Sequence, residues 1–132
     1  MKVAVGVHIL SDMYGVSPNL IERKEPIGQI VEEAVRVGGL TKISSDFYQF
    51  DPIGASGIIL LAESHLSFHT WPEHGLVTLD LYTCGDPSKA EIAYEYILEN
   101  LMPTSVSTKR VERGKMIGEN INIIQSDHTI LA

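Results

Sequence analysis

The sequence predicts an α+β fold: a two-layer α/β sandwich with a mainly antiparallel sheet and two helices on one sheet face. Three observations carry that expectation. Two stretches repeat apolar residues at helical spacing. Several others alternate, or run apolar, over strand lengths. The order is strand, helix, a run of strands, helix, strand, not strict strand–helix alternation. At 132 residues the chain suits one domain, 1–132, with a real core. Two helices on one face leave the other sheet face to be buried, and a second subunit would do that.

Lys2–Leu10 (KVAVGVHIL) sets Val3, Val5 and Val7 against Ala4, Gly6 and His8 and reads as the first strand. Asp12–Ser17, with Gly15, reads as a turn. Ser17-Pro18 opens a helical region with a capping residue followed by proline at the first helical position. From Ile27 to Val37 the apolar spacing is helical, and Pro26 implies a bend or a late helix start. Gly38-Gly39 ends the helix. Leu40–Phe50 is a strand, followed by a turn at Asp51-Pro52-Ile53-Gly54. Ser56–Ala62 (SGIILLA) is almost wholly apolar, as a central strand requires. Ser64–Thr70 and Leu76–Thr83 are the next strands, separated by the turn Trp71–Gly75. Asp86-Pro87-Ser88 caps a helix over about Lys89–Leu101, which Pro103 ends. Ser105–Glu112 is the last strand. The remainder, from Arg113 on, has weak pattern and reads as an arm, a subunit contact or a tail.

Net charge of -7 repels nucleic acid and anionic membrane and suits a cationic or small-molecule partner. The basic cluster Lys109, Arg110, Arg113 and Lys115 reads as a solvated edge strand, not a nucleic-acid stripe. No apolar run approaches the roughly 18–20 residues that span a bilayer, and MKVAVGVHIL is too soon interrupted for a secretory signal. Cys84 is the one cysteine, so no internal disulfide forms, which fits a reducing, cytoplasmic compartment. On its own it reads first as a small buried hydrophobe.

The stretch LLAESHLSFHTWPE, residues 60–73, concentrates the chemistry-bearing side chains. His65, His69, His74 and Cys84 are zinc-ligand types, but H-x3-H on a strand with no CxxC or HExxH argues for no metal. The glycines are scattered and form no phosphate cradle. A hydrolytic triad lacks its GxSxG elbow. Strict alternation also points Ser64 and His69 to opposite sheet faces unless a bulge intervenes. What remains is a serine flanked by Glu63 and histidines between two core strands, with a free thiol on the next strand end. That is a candidate covalent-chemistry site without a named reaction.

The segment GASGIILLAESHLSFHTWPEHGLVTLDLYTCG carries ESH, HTWPE and D-x-[FY]-T-C-G, and GVHIL-x2-MYG stands near the start. On these motifs, over about Gly6 to Gly114, the chain resembles the prokaryotic S-adenosylmethionine decarboxylase proenzymes. The resemblance implies self-cleavage between Glu63 and Ser64, giving a β chain of 1–63 and an α chain of 64–132. Ser64 becomes a covalent pyruvoyl cofactor by way of an ester and a dehydroalanine. It implies His69 as base or proton shuttle of processing, Ser56 as its assistant, and Cys84 as the catalytic proton donor. Phe50 matches the aromatic on which the purine stacks. Trp71 walls the pocket or packs a turn; Glu73 holds ribose hydroxyls or the cationic substrate, or is a turn carboxylate. His65 supports the turn or pocket, and His8 is packed or hydrogen-bonded in its strand. The activity implied is decarboxylation of S-adenosyl-L-methionine to the aminopropyl donor of spermidine synthesis, in a homodimer of processed αβ units. Two alternatives stand beside it: a pyruvoyl-dependent arginine or other amino-acid decarboxylase on the same scaffold, and an unprocessed regulatory homologue. The segment KISSDFYQFDPIGASG and the tail after Gly114 depart from the family pattern, so the motifs specify the prosthetic group better than the substrate.

Overall fold

A computed structural model describes residues 6–114. Its elements are β1 (Gly6–Tyr14), α1 (Pro18–Ile21), α2 (Lys24–Val37), β2 (Lys42–Gln49), β3 (Ala55–Leu61) and β4 (Ser64–Trp71). A single 3-10 turn (Pro72–His74) leads into β5 (Leu76–Thr83), α3 (Pro87–Leu101) and β6 (Ser105–Arg113). The strands form one sheet in the order β2-β3-β4-β5-β1-β6, every neighbouring pair antiparallel. The predicted α+β sandwich is the observed architecture.

Alternation decides which face is inside. Ile9 and Met13 of β1, Leu66 and Phe68 of β4, and Leu79 and Leu81 of β5 are buried against Ile27, Val31 and Ala34 of α2 and Ala93, Ile97 and Leu101 of α3. Burying a side chain of this size stabilises the fold by roughly 1.5–3 kcal/mol. The opposite face carries no helix among the described residues and leaves apolar groups in solvent: Ile58 is 48% and Leu60 47% exposed.

Several boundaries differ from the sequence reading for physical reasons. β1 does not turn at Asp12. It runs to Tyr14 because strands pair with it on both sides, Met13 facing Val77 of β5 and Val106 of β6. The turn falls at Gly15, whose φ of +72° favours glycine. The helical region breaks at Glu22-Arg23, so Pro26 sits in the first turn of α2, where a missing N–H costs nothing. Gln49 secures that break by accepting the Lys24 N–H at 2.7 Å and donating to the carbonyls of Glu22 and Gly54. The Asp86 cap is as expected: its carboxylate accepts the Ser88 N–H at 2.9 Å. Lys2–Val5 of the expected first strand, and the expected arm or tail beyond Gly114, lie outside the described residues.

Gly57 shows how tightly β3 sits under its neighbours. A Cβ there would meet Phe47 and Phe68 ring carbons at 2.3 and 2.4 Å. Gly57→Ala is therefore expected to destabilise the fold by about 1–3 kcal/mol. Chemical denaturation should show a lowered midpoint with an unchanged slope.

Candidate functional site

The sequence-selected residues fall into two groups at opposite ends of the same strands. The first lies at the β3–β4 turn. Leu61 faces Ser64 across a tight two-residue turn of Ala62 and Glu63, and Ser64 faces Thr83 on the other side. Cys84 follows directly. Its backbone N–H donates to the Glu63 carbonyl at 2.9 Å, and its thiol donates to the same oxygen at 2.7 Å. Two donors therefore converge on the one carbonyl that precedes Ser64. The thiol is exposed, not the buried hydrophobe that composition suggested.

The Glu63 carboxylate points the other way. It accepts the Thr41 N–H at 3.0 Å and the Thr41 hydroxyl at 3.2 Å. The Thr41 backbone hydrogen bond is the main cause holding this carboxyl below the usual range, while partial burial opposes it. Around the same end, on the uncovered face, His65, Tyr82 and His8 form an aromatic cluster with centroids 5.5–6.4 Å apart. His8 donates from Nε2 to Asp80 at 3.1 Å and accepts at Nδ1 from Arg113 at 3.0 Å, which fits the neutral tautomer. Arg113 lies 5.5 Å over the Tyr82 ring. Arg110 pairs with Glu91 on α3, so these two members of the basic cluster are engaged within the chain.

The second group lies at the far end. Ser56 and His69 face one another across β3 and β4, and the serine hydroxyl is hydrogen-bonded to the histidine Nδ1. The imidazole is flanked by Trp71, with ring centroids 5.6 Å apart, and by Phe50 at 6.4 Å; Tyr48 packs edge-on to Phe50. A shallow cavity of about 280 Å³ is lined by Phe50, His69, Trp71 and Glu73 among others. A neighbouring one contains Tyr48, Ser56 and His69 with Asp46. A further cavity of about 870 Å³ between α2 and β2 contains none of the selected residues. Among the described residues no cluster of three or more His, Cys, Asp or Glu is placed to hold a metal. No described helix is long and apolar enough to cross a membrane.

The pairing of β4 with β3 and β5 is regular from Ser64 to Trp71, so no bulge reconciles Ser64 with His69. They stand on opposite parities and five residues apart, about 17 Å along the strand. Sequence reasoning missed Thr41, which carries no periodic or motif signal. It also missed Thr83, whose buried hydroxyl has no hydrogen-bond partner among the described residues and lies directly opposite Ser64. The TCG motif contained that residue, and only the register gives it a neighbour.

Residues 7–114 match the family model described as S-adenosylmethionine decarboxylase. The chain is 63% identical, over 93% of its own length and 95% of the relative's, to the S-adenosylmethionine decarboxylase proenzyme of Picrophilus torridus. It is 62% identical to that of Thermoplasma volcanium, covering 90% of this chain and 92% of the relative. The crystal structure of the adenosylmethionine decarboxylase from Aquifex aeolicus VF5 is similar at a TM-score of 0.82 and 49% identity. That match covers 96% of this chain and 98% of the other.

Proposed function

The chain belongs to the pyruvoyl-dependent S-adenosylmethionine decarboxylase family, and from that premise we propose how it becomes and works as an enzyme. It decarboxylates S-adenosyl-L-methionine to the aminopropyl donor of spermidine synthesis. The observation that carries the processing step is the double hydrogen bond from Cys84 to the Glu63 carbonyl. When the Ser64 hydroxyl adds to that carbonyl carbon, negative charge develops on the oxygen that these donors already hold. The C–N bond then breaks, the hydroxyl proton ends on the Ser64 nitrogen, and an ester joins Glu63 to the serine oxygen. A base removes the Ser64 α-proton, the Cβ–O bond breaks, and Glu63 leaves as a new carboxylate. The dehydroalanine left behind takes up water and releases ammonia, leaving a pyruvoyl group at residue 64. The β chain is 1–63 and the α chain 64–132.

The residues present suit that group. The Thr83 hydroxyl, unpartnered among the described residues, lies opposite the residue that carries it. Once formed, the group supplies an electron sink for the pair left when carbon dioxide departs. Cys84, freed from the cleaved carbonyl, then delivers a proton to the substrate carbon in this reading. Phe50 offers a face for the purine, Trp71 a wall, and Glu73 an acceptor for ribose hydroxyls. His65 supports the pocket on the same uncovered face, packed against Tyr82.

One chain does not complete this site, because Ser56 and His69 lie at the wrong end of the sheet. A homodimer does. Two uncovered faces stacked about a two-fold axis perpendicular to the strands reverse the strand direction. The Ser56–His69 end of one copy then lies over the Glu63–Cys84 end of the other. His69 is thus proposed as the base or proton shuttle that reaches the backbone of its partner's Glu63–Ser64 turn, the Ser64 α-proton included, with Ser56 holding its ring. The exposed apolar groups Ile58 and Leu60 are what such stacking buries.

The test uses the purified wild-type chain. Denaturing electrophoresis and intact mass should show two fragments in place of one species near 14.5 kDa. Carbon dioxide should be released from carboxyl-labelled S-adenosylmethionine and not from labelled arginine. A whole, hydroxylamine-resistant chain, or a preference for arginine, overturns the reading. Cys84→Ala keeps the backbone donor and loses the thiol. It should cleave more slowly, by about tenfold or more for one lost oxyanion donor, and lose most turnover. Normal turnover would remove Cys84 from the protonation step.

A further inference from the structure

The tie between Thr41 and the turn is unused by the mechanism so far. Thr41 lies between the end of α2 and β2. It donates its N–H and hydroxyl to the two oxygens of Glu63, and its carbonyl accepts the Ala62 N–H at 2.8 Å. On the opposite side, Cys84 holds the backbone carbonyl of the same Glu63. We infer that Thr41 is a positioning residue for self-cleavage, acting through Glu63; this rests on Glu63–Ser64 being the bond that is cut.

Two consequences follow from the geometry. The first is rotational. Attack on the Glu63 carbonyl carbon requires the peptide to be turned so that its oxygen meets the Cys84 donors while one face meets the Ser64 hydroxyl. A turn residue held at one point pivots; held by its carbonyl and by its side chain, it does not. Fixing the attack geometry in this way raises the effective concentration of the nucleophile. The second is electrostatic. The oxyanion forms on a residue that itself carries a carboxylate. Thr41 holds both oxygens of that carboxylate in hydrogen bonds of their own, so it does not swing round to compete for the Cys84 donors.

The experiment follows the single-turnover appearance of the two fragments after cell-free synthesis, for full-length variants. Thr41→Val removes the hydroxyl donor and should slow cleavage by about fivefold, as expected for one exposed hydrogen bond to a charged group. Thr41→Ser should restore the wild-type rate. Glu63→Ala removes both side-chain anchors and should slow cleavage by about tenfold or more. Adding Thr41→Val to Glu63→Ala should cost nothing further, because the partner is gone. Thr41→Val cleaving at the wild-type rate overturns the inference. So does a Thr41→Val effect that persists in full on the Glu63→Ala background, since the threonine would then be acting elsewhere. If Thr41→Val fails to fold by circular dichroism, Glu63→Ala decides alone, and a folded Glu63→Ala that cleaves normally overturns the inference. A wild-type chain that never cleaves removes the underlying reading, which is a different result.

Discussion

Ser64→Ala is expected to remain one chain near 14.5 kDa, fully folded and without decarboxylase activity. The substitution removes one oxygen at a half-buried strand end, and the ladder to Leu61 and Thr83 is made by backbone. Its stability should therefore stay within about 0.5 kcal/mol of the wild-type proenzyme. Activity should vanish for a separate reason. Without a hydroxyl there is no acyl shift, and without the shift there is no electron sink for the departing carboxylate. Intact mass and labelled carbon dioxide release check the two halves independently. Cleavage of Ser64→Ala at this bond would show that the serine is not the nucleophile.

The second large effect is rescue by mixing. Ser64→Ala and His69→Ala should each be inactive alone. Co-expressed with different tags, they should recover activity. In a mixed dimer, one of the two sites has an intact Ser64 from one chain and an intact His69 from the other. Random pairing makes half of the dimers mixed, so about a quarter of the wild-type sites should be restored. Only the His69→Ala chain should appear cut, which mass spectrometry of the separated tags would show. If both residues served the same chain, mixing would restore nothing. The prediction depends on the regular β4 pairing, which leaves Ser64 and His69 unable to meet within one copy.

Much of this fold was legible because alternation and helical spacing are local signals. The strands β3, β4 and β5 and the helix α3 were placed to within a residue or two by them. β1 was misjudged at its far end because its last residues are strand only by virtue of partners on both sides, Val77 and Val106, distant in sequence. The site divides in the same way. Ser64, His69 and Cys84 were marked by their motifs, and parity alone raised the conflict between the first two. Thr41 was invisible because it meets Glu63 across 22 positions from a loop with no pattern of its own. His8 was expected to be packed or hydrogen-bonded, and its partners Asp80 and Arg113 come from separate strands that only the sheet order brings together.

The sheet order also bears on what holds the enzyme together after it is cut. The proposed cleavage at 63/64 would assign β1, β2 and β3 to one polypeptide and β4, β5 and β6 to the other. In space the two sets interlock, because β1 lies between β5 and β6. Separating the fragments means breaking three strand seams, β3–β4, β5–β1 and β1–β6. The proenzyme unfolds and refolds as one molecule, whereas the mature pair must find each other again through diffusion. Refolding yield after denaturant dilution should thus rise more steeply with concentration for the cleaved protein than for Ser64→Ala, which has only its dimer to assemble. The cut turns a folding intermediate's local contact into an encounter between strangers, so the fold has to be complete before the bond is broken.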